Sequence, residues 1–107
     1  MPAPLPPPVA ALIGAANAND TEAFLACFAG DGVVDDWGRE FRGHEAIRRW
    51  SDKEFIGVAV SLSLDDVEQR GEETVVTAEV GGRGFNGPSH FGFRVVGDRV
   101  ARMTIRA

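Results

Sequence analysis

The sequence predicts an α+β domain in which helices come first and a curved antiparallel sheet follows. Three observations carry this prediction. Apolar residues recur at helical spacing through about Trp50, as in Phe24, Leu25 and Phe28 and again in Ala46, Ile47 and Trp50. From Gly57 onward the period changes toward two, with Val58, Val60, Leu62 and Leu64 alternating against Ala59, Ser61, Ser63 and Asp65. No long crossover helix separates the late strand segments, which argues against a parallel dinucleotide-binding sheet, and an all-helical bundle would not explain the alternation. Long strands need their apolar face covered, and the early helices supply that cover. A chain of 107 residues has room for one core. The expected organisation is a Pro-rich extended lead-in over residues 1–8 and a single domain over residues 9–107.

Each element follows from local chemistry. Pro2, Pro4 and Pro6 to Pro8 suit neither a helix nor a central strand, so the start reads as extended. Val9 to Ala18 forms a first helix, weakened by Gly14, that depends on packing for its stability. Asn19 and Glu22 have capping-box spacing before a second helix through Phe28, which ends near Gly30. Val33 to Trp37 is a short strand, and Gly38 to Gly43 turns or forms an irregular hairpin. A third helix runs from near His44 to Ser51–Glu54, with Arg48 and Arg49 on its exposed side. After the strand begun at Gly57, Val67 falls out of register, which predicts a bulge near Asp65–Asp66. Further strands occupy Glu73 to Val80, Ser89 to Val96 and Arg99 to Arg106, the last two joined by a tight Gly97-Asp98 turn. Gly81 to Gly87 reads as a flexible rim or hairpin link.

Composition narrows the function classes. The net charge is -5, and the basic residues form no run denser than Arg48–Arg49, which argues against nucleic acid as a partner. No stretch approaches a membrane span and no leader pattern is present, so a cytoplasmic location without membrane association is expected. Cys27 is the single cysteine and reads as a structural thiol in an apolar helix. Two His and one Cys without zinc-ligand spacing give no metal site, and the glycines lack a phosphate-cradle pattern, so no cofactor is expected.

The run from Asp20 through Gly38, with Gly30-Asp31-Gly32-Val33-Val34-Asp35-Asp36-Trp37 at its centre, followed by Phe41-Arg42-Gly43-His44-Glu45-Ala46-Ile47, resembles the nuclear-transport-factor-two-like superfamily. The similarity is greatest to its polyketide-cyclase-like and ketosteroid-isomerase-like branch, and the Gly97-Asp98-Arg99-Val100 hairpin also fits. The resemblance implies a cone-shaped, cystatin-like sheet around a deep pocket, and a homodimer built on the outer sheet face. Ala59, Ser61 and Ser63 would permit close contact there. It also implies that Trp37, Trp50, Phe55, Phe85, Phe91 and Phe93 include pocket or core residues. Alternation independently places Phe91, Phe93 and Val95 on one strand face, a finding that suits a pocket wall and a solid core equally.

Asp36 matches the aspartate that removes a proton next to a carbonyl in ketosteroid-isomerase-like relatives. A carboxylate beneath an apolar roof would be a stronger base, whereas on an exposed edge the same residue would only shape a turn. The resemblance also exposes a gap. The relatives' helix tyrosine corresponds to Leu12, the chain contains 0 Tyr, and their protonated sheet aspartate falls near His90 or Phe91. Donors aimed at developing negative charge supply much of such catalysis, so steroid isomerisation itself is disfavoured. His90 could replace one donor, although its parity with Gly92 and Arg94 turns it toward the outer face. Arg39 could meet an anion or form a surface salt bridge, and Asp52 and Glu54 could face a cavity mouth or end a solvated helix. The catalytic candidates are therefore Asp36 and His90, and the ligand-binding candidates are Trp37, Trp50, Phe55, Phe91 and Phe93. Three functions remain open: a cofactor-independent enzyme acting on a small apolar compound, a noncatalytic ligand binder, and a structural dimerisation domain.

Overall fold

The computed structural model describes residues 4–106, so the first three residues of the predicted lead-in and Ala107 lie outside it. Helices α1 (Pro7–Asn17) and α2 (Thr21–Ala26) come first, followed by strands β1 (Phe28–Asp36) and β2 (Arg39–Arg42). Helix α3 (His44–Glu54), a 3-10 turn over Ile56–Val58 and strands β3 (Ser61–Arg70), β4 (Glu73–Gly81), β5 (Gly87–Val96) and β6 (Arg99–Arg106) complete the order. The strands form one curved sheet in the order β2-β1-β6-β5-β4-β3, and the three helices cover its inner face.

The predicted antiparallel sheet holds for every neighbouring pair except β1 and β6, which run parallel. That pairing joins strands far apart in the chain, and local periodicity carries no trace of it. The bulge lies where the register predicted it: β3 slips against β4 between Leu64 and Asp66, which returns Val67 to the buried face.

Four local expectations are corrected. Helix α2 stops at Ala26 and Phe28 already opens β1, so the second helix does not reach Gly30 and the first strand does not wait for Val33. Helix α1 begins at Pro7 instead of Val9, because prolines in the first turn replace amide hydrogens that a helix start leaves unpaired anyway. Asp20, not Asn19, caps α2, its side chain accepting from the Ala23 amide at 3.1 Å. Asn19 has φ of 57° and closes α1, a role glycine fills for want of a Cβ and asparagine because its short polar side chain tolerates the left-handed region. The segment after α3 does not enter the sheet at Gly57. It winds into the 3-10 turn, passes through Ala59 at φ 56°, and starts β3 only at Ser61. Ala59 therefore stands before the strand instead of on the outer face.

Helix α1 buries Val9, Leu12, Ile13 and Ala16 against the sheet and also covers an edge. The Asn17 amide accepts from the Leu62 N–H at 2.7 Å and donates to the Leu62 carbonyl at 3.1 Å, pairing with β3 as another strand would. The core contains Phe24, Phe28, Val34, Ile47, Phe93, Val100 and Met103, all nearly inaccessible. Phe24 meets Phe28 edge to face, with centroids 5.3 Å apart.

The 3-10 turn depends on a close approach at Gly57. A Cβ there would fall 1.6 Å from the Asp52 carbonyl oxygen, a backbone atom that no rotamer change can move. The Gly57→Ala substitution is expected to cost at least about 3 kcal/mol, read as a lowered Tm in a thermal melt. A Tm within about 2 °C of the parent would show that the turn relaxes freely.

Candidate functional site

A cavity of about 380 Å³ opens at one end of the core, between the C-terminal half of α3, the end of β1 and the β4–β5 loop. Trp50, Phe55, Phe91, Val60, Val80 and Ile105 supply its apolar wall, and Asp36, Lys53, Glu54 and Ser89 its polar groups. Trp37 and Phe85 stand at the rim, 60% and 58% exposed.

Asp36 reaches this cavity because it ends β1 on the face opposite Asp35, with Ile105 of β6 beside it and Phe91 of β5 beyond Ile105. Its partners come from two other elements. The Trp50 Nε1–H donates to Asp36 Oδ2 at 3.1 Å, and Arg39 of β2 donates to the same oxygen at 2.6 Å. Among the described residues no hydrogen bond engages Oδ1. Arg39 also donates twice to Glu54 of α3, at 3.0 and 2.7 Å, so one guanidinium bridges two carboxylates. Glu54 is held below the usual carboxylate range by that bond, and Arg39 is raised above its ordinary value, by Glu54 first and with Asp36 adding. Arg39 lies 5.6 Å from the Phe41 ring centroid, a cation–π contact that steadies it further.

Trp37 takes its rim position from backbone geometry. It and Gly38 form the β1–β2 turn with φ of 56° and 89°, the doubly positive pattern of a type I′ hairpin. The β4–β5 loop is the expected hairpin link at the cavity rim, and hydrogen bonds tie it to the 3-10 turn. Arg83 donates its amide to the Val58 carbonyl at 2.7 Å and its guanidinium to the Gly57 carbonyl at 3.1 Å, while Asn86 donates to the Gly82 and Gly84 carbonyls.

Of the residues singled out from sequence, Asp36, Trp37, Trp50, Phe55, Phe85 and Phe91 meet at the cavity. Phe93 does not: at 1% exposure it packs behind Phe91, centroids 6.4 Å apart, in solid core. His90 is not brought to Asp36 either. Strand parity puts it on the outer face, in a shallow groove with Arg70, Glu73 and Arg106. Sequence reasoning left Arg39 open between an anion contact and a surface salt bridge, and Glu54 between a cavity mouth and a solvated helix end, without joining the two, and it overlooked Ser89. Their signals were the four-residue step from Trp50 to Glu54 on one helix face and the two-residue step from Ser89 to Phe91 on one strand face.

The SnoaL-like domain model matches residues 9–103. The chain belongs to the SnoaL-like family. It lies within the nuclear-transport-factor-two-like superfamily that the sequence resembles. Among solved structures, a candidate polyketide cyclase from Sinorhizobium meliloti is 31% identical, with 95% of each chain covered and a TM-score of 0.83. A Catenulispora acidiphila protein of ketosteroid-isomerase-like fold, solved with trimethylamine, is 22% identical, covers 97% of this chain and 87% of its own, and has a TM-score of 0.81. A Mycobacterium tuberculosis protein in complex with estradiol-17beta-hemisuccinate is 17% identical, over 92% and 88% of the two chains, with a TM-score of 0.76. The last two likenesses speak to fold alone. No curated protein matches the chain.

In this SnoaL-like chain the reverse face of the acid-bearing strand is also built from charge. Asp35 accepts from Arg106 at 3.1 Å, Arg102 at 2.7 Å and the Gly38 amide at 2.8 Å, and Arg102 reaches on to Glu40 at 2.7 Å. The Arg106 hydrogen bond first, then the Gly38 and Arg102 bonds, hold Asp35 below the ordinary carboxylate range against the opposing effect of burial. A depressed carboxylate stabilises the fold fully above its unfolded-state value of about 4, and this contribution is lost as the pH falls through the folded-state value. Asp35→Asn is therefore expected to lower Tm by about 5–10 °C at pH 7, with the gap from the parent closing below about pH 4. Thermal melts across that range check it, and a gap independent of pH would contradict the assignment.

Proposed function

We propose that the chain is a cofactor-independent proton-transfer enzyme of isomerase or cyclase type, acting on a small apolar compound with Asp36 as general base. The observation that carries this reading is the asymmetric environment of the Asp36 carboxylate. Oδ2 is held by the Trp50 indole and Arg39, while Oδ1 is left without a partner at an apolar cavity. The two donors orient the group, and the open oxygen can meet a C–H bond next to a carbonyl. Proton removal there leaves an enolate. Return of the proton at another carbon completes an isomerisation; alternatively, attack of the enolate carbon on a carbonyl within the same molecule closes a ring, and the alkoxide left when that C=O π bond breaks takes the proton back from Asp36. The likeness to a candidate polyketide cyclase over 95% of the chain supports this choice of reaction class.

A second reading, a noncatalytic ligand-binding or structural dimerisation domain, is favoured by the exposed Trp37 and Phe85 at the rim. A bound molecule would cover both rings. In either reading the outer sheet face forms a homodimer, with Ser61 and Ser63 exposed on it, and the location is cytoplasmic. A chain with one cysteine gains no internal disulfide from an oxidising compartment.

Two measurements test these readings. Asp36→Asn is expected to melt close to the parent while slowing exchange of ketone α-protons with deuterated water at least about 100-fold, followed by NMR on a panel of bicyclic ketones. Exchange at the parental rate removes Asp36 as the base. Light scattering is expected to give twice the chain mass of 11.5 kDa, and a monomer at every accessible concentration refutes the dimer.

A further inference from the structure

Ser89 stands apart among the buried polar residues. Among the described residues the buried polar or charged ones are Asp35, Ser51, Thr74 and Ser89. Asp35 has its arginines, the Ser51 hydroxyl accepts from the Ile56 amide at 3.3 Å, and the Thr74 hydroxyl donates to Gln69 at 2.8 Å. Ser89 is 4% exposed, yet among the described residues its hydroxyl makes no hydrogen bond to the protein. An unmet hydroxyl in a protein interior is costly, about 1–3 kcal/mol, unless something else fills its valence. No fully enclosed side-chain nitrogen or oxygen among the described residues lacks a partner. The Ser89 hydroxyl is therefore not sealed in protein; it opens on the cavity that Ser89 lines.

Its place relative to Asp36 follows from register. Asp36 pairs with Ile105 and Ile105 with Phe91, so Asp36 and Phe91 are two strands apart, and Ser89 is two residues further along β5 on the same face. Strand spacing and rise make the Cα separation of Asp36 and Ser89 roughly 12 Å, and both side chains stand on the same sheet face and line the same cavity. The wall connecting them is apolar, formed by Ile105 and Phe91. Two polar groups thus mark the ends of an apolar stretch about as long as a pair of fused rings with an oxygen at each end.

We propose that Ser89 is a ligand-selecting hydrogen-bond donor, so that the cavity takes flat apolar molecules carrying an acceptor oxygen at the end remote from Asp36. This rests on the reading that the cavity holds its ligand against Asp36, and it adds the second polar contact. In a proton-transfer reaction conjugated through the ring system, negative charge developing at that oxygen would be met by the Ser89 O–H.

Three probes separate the two ends. In 6-hydroxy-1-tetralone a ketone and a phenol sit at opposite ends, 1-tetralone lacks the phenol, and 5,6,7,8-tetrahydro-2-naphthol lacks the ketone. Binding is read by quenching of Trp37 and Trp50, which both line the cavity and are the 2 tryptophans of the chain. Ser89→Ala is expected to weaken both ketones about 5–10-fold and to leave the naphthol within about twofold, whereas Ser89→Thr, which keeps the hydroxyl, restores the ketones. Asp36→Asn is expected to weaken the two phenols and spare 1-tetralone. Equal weakening of all three probes by Ser89→Ala, or no rescue by threonine, overturns the Ser89 assignment. Loss on Asp36→Asn with none on Ser89→Ala overturns it while leaving the cavity reading in place. Failure of the parent protein to bind any of the three overturns both.

Discussion

The contact on which the site depends is the stack of Trp50 on Phe55, centroids 5.0 Å apart and planes 23° from parallel. Phe55 continues inward to Phe24 and Phe91, and Phe41 of β2 packs on the other side of Trp50 at 6.1 Å. A buried indole with its ring so enclosed has little rotational freedom, and its N–H points wherever the stack directs it. Here it points at Asp36. The position of the acid is thus set by aromatic packing that reaches into the centre of the molecule, and the Arg39 bridge secures the exposed side of the same carboxylate.

Adjacent aspartates show how little local sequence decides about chemistry. Asp35 and Asp36 differ by one step along a strand, and that step turns them to opposite faces. Asp35 meets two guanidinium groups and an amide, which occupy both its oxygens and leave it an electrostatic tie between β1 and β6. Asp36 has donors on one oxygen alone. The first arrangement fixes a strand pair. The second leaves an acceptor free at the edge of an apolar space.

The parts of the fold that could be read from the chain were those governed by neighbours in sequence. Period-two alternation located β4, β5 and β6 nearly to the residue, the out-of-step Val67 located the bulge, and Trp50 with Ile47 marked the buried side of α3. Misreadings came where two local rules competed. Proline disfavours a helix interior but suits its first turn, and Asn19 could open α2 or close α1. The turn at Gly57 was hidden because its cause, the Asp52 carbonyl, is a through-space neighbour. At the site, the aromatics and Asp36 were legible through resemblance and parity. The bridge from Arg39 to Glu54 was not, since it joins a hairpin to a helix end and needs the whole fold to bring them together.

The parallel pair of β1 with β6 has a consequence for how the molecule is assembled. β6 follows every other described strand in sequence, yet it lies between β1 and β5 and, among the described residues, is the only strand that pairs the early hairpin with the later meander. Until it docks, the chain is two separate sheets, and the strand bearing Asp36 has neither Ile105 beside it nor the arginines behind it. Joining ends so distant along the chain is slow, because loop-closure entropy must be overcome before the contacts form. Asp36 can therefore take up its place at the cavity only once residues 102–106 have joined the sheet, so closing the sheet and placing that carboxylate are one event.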